Sequence, residues 1–316
     1  MEFSEYYVAY FDVLGYKETL KKSENDAVKL IESIESSIDL MKKIVQAVND
    51  AFGDLTEKLL EVEYKIFSDN VLVCNKGKKD PLSALSLVYF LRLVATIQRV
   101  FFESSQLIVR GGITKGLLYL TGDFVGGKAL VDVVGIEESA VHPRIVVDNC
   151  ILNELDSFKM QNDLFKSMIE ASCLDLLVKD IDDKHFLNYI MSYDAWIPFP
   201  KNGSQIEPVG SYEELEKNLR EGHQRKPIYK PECRNDVFVI LKKHKDFVEE
   251  NVHEFSQSSN DATKELERAK ILKKYLWLVS FHNKICDHAL YQMPHLKIVL
   301  KSDFNEQTLA FDVSVG

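Results

Sequence analysis

The apolar positions of this chain recur in two periods, and the changes between them mark out its elements. Tyr6 to Leu14 is apolar throughout except at Asp12, the pattern of a strand buried on both faces. Asn25 to Leu60 carries Val28, Ile31, Ile34, Ile38, Met41, Ile44, Val45 and Val48 at helical spacing, which predicts one long amphipathic helix, broken near Gly53. Val62 to Phe67 and Val71 to Cys74 read as two strands joined by a tight Ser68-Asp69-Asn70 turn. After a basic connection over Gly77 to Asp80, Pro81 starts a second helix through Glu103, strongly apolar from Leu85 to Phe102. Leu107 to Ile113 is the next strand and Gly116 to Tyr119 begins its partner; Gly111, Gly112 and Gly116 imply close backbone approach or a bulge. Val131 to Ala140 is a third helix, ended before Pro143, and Arg144 to Val147 another strand. The order β-α-β-β-α-β predicts an α+β, ferredoxin-like domain.

Further on, Asn149 to Leu155 and Leu164 to Cys173 read as short helices, and Leu176 to Val178 pairs with Phe186 to Ile190 as a hairpin. Its turn, Asp180 to Lys184, is acidic but lacks the glycine and final glutamate of a calcium loop, so it reads as a solvated turn. Residues 194–212, with Trp196-Ile197-Pro198-Phe199-Pro200, form a linker. Ser211 to Phe255 is helical, interrupted near Pro227 and Pro231, Thr263 to His288 is a long helix, and His295 to Leu300 is a strand or an extended tail. The chain therefore divides into a core domain over 1–195 and a mainly helical extension over 196–316.

Asp12 and Asp69 change the picture from fold to chemistry. A strand buried on both faces has no structural use for a carboxylate near its end, and Asp69 stands at a hairpin tip. If that hairpin lies beside the first strand, the two acids converge, and convergent carboxylates with few cations nearby call for a divalent ion. Hard oxygen ligands suit Mg²⁺ or Mn²⁺, whose remaining ligands are commonly water and substrate phosphates, so phosphoryl chemistry leads. The alternatives are an Asx-turn for Asp69 and an end-of-strand cap for Asp12. Arg110, on a strand before a glycine pair, has the fork geometry that binds phosphate, or it pairs with a surface acid.

The net charge of −10 over 316 residues argues against a nucleic-acid partner, which needs clustered Lys and Arg. The absence of a basic region followed by an apolar signal segment, and of any uninterrupted apolar run near about 18 residues, predicts a soluble, cytoplasmic chain with no membrane partner. The five cysteines are far apart with no C-x-x-C pair, the pattern of reduced packing residues.

Phe11-Asp12-Val13-Leu14-Gly15-Tyr16 resembles the F-x-D-I/V-x-G-F/Y metal motif of class III nucleotidyl cyclases, and Ser68-Asp69 stands where that family has Gly-Asp. Val109 to Gly116 is similar to its V-R-x-G-I-x-x-G segment, and Gly127-Lys128-Ala129-Leu130, followed by Glu137 and Ala140, to its G-x-A-V-N helix. Arg110 to Ile113, His142 to Val147, and Lys274 to Leu278 followed by His282-Asn283 look most like the bacterial pyrimidine cyclases of the Pycsar anti-phage systems. The core resemblance covers roughly residues 5–195.

The resemblance implies an enzyme that converts UTP or CTP to the 3′,5′-cyclic monophosphate and pyrophosphate as a second messenger in anti-phage defence. It implies two divalent ions, Mg²⁺ or Mn²⁺, held by Asp12, Asp69 and the Val13 carbonyl, and a homodimer whose sites form between protomers. Arg110 would act in catalysis. Tyr64 or Lys65 would read the base, only one of them facing the pocket; the lysine resembles the adenylate cyclase arrangement, and the tyrosine fits a pyrimidine-sized pocket. Asp123 is similar to the acid that receives an exocyclic amine, or it is a turn residue. Lys128 and Lys115 could touch phosphate. The chain departs from the family at Val131 and Gly135, where an Asn and an Arg would orient the ribose and stabilise the transition state; Arg110 or Arg144 could substitute, or the chain is a poor catalyst. Adenylate cyclase, and an inactive nucleotide-binding or interaction protein of cyclase fold, are the alternatives.

Overall fold

β1 (Ser4–Val13) is the central strand, and its near-continuous apolar sequence follows from having layers on both sides. Tyr7, Ala9, Phe11 and Val13 face one core with Leu30, Ile34, Ile38 and Met41 of α2 (Glu24–Phe52) and the apolar residues of α3 (Ser83–Ser105). Tyr6 and Val8, with Tyr10 packed beside them, face a smaller cluster containing Ala129 and Val133 of α4 (Lys128–Ser139). The computed structural model describes residues 2–52, 59–78, 83–161, 166, 176–190, 231–257, 262–288 and 292–300. The chain divides into one unit of Met1–Ala140 with Arg144–Ile228 and a second of Val141–Pro143 with Tyr229–Gly316. The expected boundary at 195–196 falls outside the described residues, as do the linker over 194–212 and all but residue 166 of the expected helix over 164–173.

In the first unit, β1 lies between β3 (Asn70–Lys76) and β4 (Val109–Leu120), antiparallel to both, and β2 (Val62–Phe67) pairs antiparallel with β3. The order β2-β3-β1-β4, with the two helical crossovers on one face, is the ferredoxin-like α+β arrangement. The sheet continues through β6 (Ile145–Val147), parallel to β4, and through the hairpin of β7 (Leu177–Lys179) and β8 (His185–Leu187). α5 (Asn149–Gln161) adds Ile151, Leu155 and Phe158 to the larger core.

Several elements differ from their sequence reading. A short α1 (Tyr16–Lys22) precedes α2; it is too brief and lysine-rich to leave a periodic apolar signal. Val109 to Leu120 is one strand rather than two; besides β1 and β6 it pairs, at its far end, with the two-residue β5 (Val125–Gly126). The glycines within β4 mark close approaches, the first of their two expected readings: a Cβ on Gly111 would meet the Tyr10 carbonyl oxygen at 2.3 Å, and one on Gly112 would meet Ile136 at 2.5 Å. α4 begins three residues earlier than its apolar spacing predicts, at Lys128.

α3 is long and apolar enough to cross a membrane, yet 83% of its apolar window is buried within the protein, as expected for a core helix. The second unit contains α6 (Pro231–Ser256), which opens on proline at its first turn, and α7 (Ala262–Cys286). A 3-10 turn at Pro294–Leu296 follows, with no strand over 297–300, so the tail alternative holds over those residues.

Candidate active site

Strand register brings Asp12 and Asp69 together. Asp12 lies directly across from Asn70 on β3, one residue after Asp69, and the Val13 backbone N–H donates to the Asp69 carbonyl at 2.9 Å. The turn that carries Asp69 is tight because Ser68 adopts a left-handed φ of 61°, a conformation glycine would enter without strain. Tyr10, two residues before Asp12 and on the same sheet face, donates its hydroxyl to Asn70 Oδ1 at 2.8 Å, and Asn70 Nδ2 donates to Asp69 Oδ1 at 3.3 Å. Burial, then the charges of Glu137, Asp12 and Asp69, raise the Tyr10 phenol above its ordinary pKa. The hydrogen bonds from Tyr10 to Asn70 and from Asn70 to Asp69 link the face that carries Asp12 to the hairpin tip.

Glu137 is the member of this group that sequence reasoning passed over as a site residue. Ala129, Val133 and Glu137 form the buried stripe of α4, and a carboxylate at a core position of an otherwise apolar stripe was the available signal. Burial raises its pKa, opposed by Arg110 and reinforced by Asp12. Arg110 faces Asp12 across the β1–β4 pair. Its Nη2 pairs with Glu137 and approaches Asp12 Oδ2 at 3.5 Å, and its Nη1 donates to the Ala140 carbonyl at 3.3 Å. Arg110 is therefore engaged by carboxylates, and a phosphate contact requires it to turn from them.

The other expected contacts are sorted by strand alternation. Lys65 pairs across β2–β3 with Leu72, and Leu72 with Tyr10, so Lys65 shares the face of Asp12. Its Nζ donates to the Gly122 carbonyl at 2.5 Å, which ties Lys65 to the exposed Thr121–Phe124 turn that contains Asp123. Tyr64 points to the opposite side: it packs on the larger core, with Lys42 Nζ 5.5 Å from its ring centre. The structure does not bring Tyr64 to the acids, because neighbouring strand residues face opposite ways.

Lys128 is also remote. It pairs with Asp132 on the first turn of α4, about 2.5 turns from Glu137. Lys115 is held by Glu5 and Glu154 on the other face. Arg144, a candidate substitute for the missing transition-state arginine, is buried against Asp180, Asp182 and the Phe186 ring and braces the β7–β8 hairpin. Val131 is exposed, and a side chain at Gly135 would meet open space, so the two departures from the cyclase pattern lie on an open helix surface.

Among the described residues no three His, Cys, Asp or Glu side chains form a metal-holding group. Two half-buried carboxylates on adjacent strand ends nonetheless fit a hard divalent cation that takes its other ligands from backbone carbonyls, water and phosphate.

No family model matches the chain, and no curated protein matches it. Solved structures do. The guanylyl cyclase Cya2 is 10% identical with a TM-score of 0.35, over 48% of this chain and 78% of that one. The adenylyl cyclase CyaB from P. aeruginosa is 12% identical with a TM-score of 0.37, over 49% and 82%. The monomeric guanylyl cyclase domain of the RhoGC fusion protein from the aquatic fungus Blastocladiella emersonii is 10% identical with a TM-score of 0.40, over 59% and 96%.

Proposed function

We propose that the chain is a nucleotidyl cyclase that closes the ribose 3′-oxygen of a nucleoside triphosphate onto its α-phosphorus. The bond from that phosphorus to the bridging oxygen breaks, pyrophosphate leaves, and the 3′-hydroxyl proton passes to solvent. The observation that carries the reading is the β1–β3 register, which sets Asp12 and Asp69 beside one another on the rim of the central sheet. Asp12, Asp69 and the Val13 carbonyl would hold Mg²⁺ or Mn²⁺, which when bound lowers the pKa of the 3′-hydroxyl and offsets charge on the triphosphate. Arg110, held between Asp12 and Glu137, is the nearest guanidinium for charge developing on the α-phosphate. A homodimer is proposed on the family resemblance, the second protomer contributing base and phosphate contacts.

For the base, the geometry favours a different substrate from the one the sequence resemblance implies. Tyr64, the residue offered for a pyrimidine-sized pocket, packs away from the acids. Lys65 and the Asp123 turn meet on the acid-bearing face, and a lysine with a carboxylate can read the ring nitrogen and exocyclic amine of adenine. ATP is therefore the first substrate to test. UTP and CTP, with a second-messenger role in anti-phage defence, are carried by sequence resemblance alone. Incubating the purified chain with each of the four nucleoside triphosphates and Mn²⁺, and resolving the products, tests the proposal. A cyclic mononucleotide with stoichiometric pyrophosphate supports it, and its base identifies the substrate. Absence of product from all four, with nucleotide still bound, would leave the binding-protein alternative that Val131 and Gly135 favour.

A further inference from the structure

We infer that Glu137 is a positioning residue that keeps Arg110 from closing on Asp12 and so sets the affinity of the acidic pair for a divalent cation. This rests on the reading of Asp12 and Asp69 as the cation's carboxylates. Arg110 stands opposite Asp12 in the strand register, where its whole guanidinium could form a two-pronged pair with the carboxylate. It does not do so. The closer ion pair runs from Nη2 to Glu137, the Asp12 contact is stretched to 3.5 Å, and Nη1 is drawn off to the Ala140 carbonyl. Glu137 is 6% exposed on a stripe that otherwise packs Ala129 and Val133 against the sheet, so its carboxylate is anchored where it can pull on Arg110.

The charges set the consequence. Asp12, Asp69 and Glu137 against Arg110 leave an excess of two negative charges, which matches one divalent cation. Without the Glu137 charge, the guanidinium has one carboxylate left, Asp12, and competes with the cation for it. Attraction between unit charges a few ångströms apart in a partly desolvated site is large enough for this competition to change cation affinity by tenfold or more.

The test is Mn²⁺ binding to the full chain, read from the loss of the free-ion electron paramagnetic resonance signal, which does not depend on turnover. Glu137→Gln should weaken binding about tenfold. Arg110→Gln should tighten it, and Glu137→Gln combined with Arg110→Gln should bind at least as well as the wild type. General damage to the fold would weaken all three, so the opposite signs separate positioning from a structural role. Binding by Glu137→Gln at the wild-type level, or failure of the double variant to recover, overturns the inference while leaving the acidic pair in place. If Glu137→Gln does not fold, unchanged binding by Arg110→Gln alone overturns it. Failure of the wild type to bind Mn²⁺, or full binding by Asp12→Asn, overturns the metal-site reading itself.

Discussion

Val13 donates its backbone N–H to the carbonyl oxygen of Asp69, 2.9 Å away and 56 positions later in the chain. That single bond ties the end of the central strand to the tip of the β2–β3 hairpin and fixes two carboxylates, Asp12 and Asp69, on one rim. On its other edge β1 pairs with β4.

Gly111 makes that packing possible. A methyl group there would overlap the Tyr10 carbonyl oxygen at 2.3 Å and Phe11 Cβ at 2.5 Å, both backbone or backbone-adjacent atoms that cannot move aside cheaply. Gly111→Ala should destabilise the first unit by about 2 kcal/mol or more and displace Arg110 from Asp12. Thermal melting followed by far-UV circular dichroism would show the lowered midpoint; an unchanged midpoint would mean that the strands separate without cost.

Base selection should follow sheet face. Lys65→Met and Asp123→Asn are each expected to raise KM for ATP about tenfold with unchanged melting, because neither residue packs in the core. Tyr64→Phe should leave base preference alone, its ring being turned to α2 and Lys42. Steady-state kinetics with ATP, UTP and CTP would check this, and a change of base preference in Tyr64→Phe would contradict it.

The second unit should be acid-sensitive. His244 and His282 are buried with parallel rings, and their Nδ1 atoms lie 3.2 Å apart. His282 Nε2 donates to the Leu296 carbonyl at 2.9 Å, near Cys286 Sγ, so its Nδ1 accepts from His244. Burial first lowers both pKa values, that of His282 to about 4, with Lys245 also opposing its protonation and the Leu296 bond partly offsetting the shift; His282 opposes protonation of His244. A folded-state pKa below the unfolded value means that the unfolded chain gains protons first. The stabilisation is complete above about pH 6.5 and declines as pH falls through the folded value near 4, by roughly 3 kcal/mol for His282. Melting of the full chain across that range should show the loss, and His282→Gln should flatten it; a flat wild-type profile would contradict the assignment.

The ferredoxin-like order was legible because it rests on period: alternating and continuous apolar runs locate β1, β2, β3 and α3 without reference to contacts. The Asp12–Asp69 meeting was legible because Asp12 interrupts an apolar strand and Asp69 stands at the tip of a hairpin whose strands flank it. Register was not, and register decides the site. One position separates Lys65 from Tyr64, and only pairing with Leu72 and Tyr10 reveals which one faces the acids. Glu137 was hidden for a related reason: an acid on a helix reads as solvent-facing until the neighbouring strand shows that its stripe is buried. The ion pairs of Arg144 were hidden because its partners, Asp180 and Asp182, come from a turn far along the chain whose acids read as solvated.

The most direct test compares cyclic nucleotide formation by Asp12→Asn, Asp69→Asn and the double variant with the wild type, each checked for an unchanged melting temperature. If the two carboxylates act as a unit on shared cations, each single substitution should abolish product as completely as the double. A folded single variant that retained substantial turnover would contradict the account.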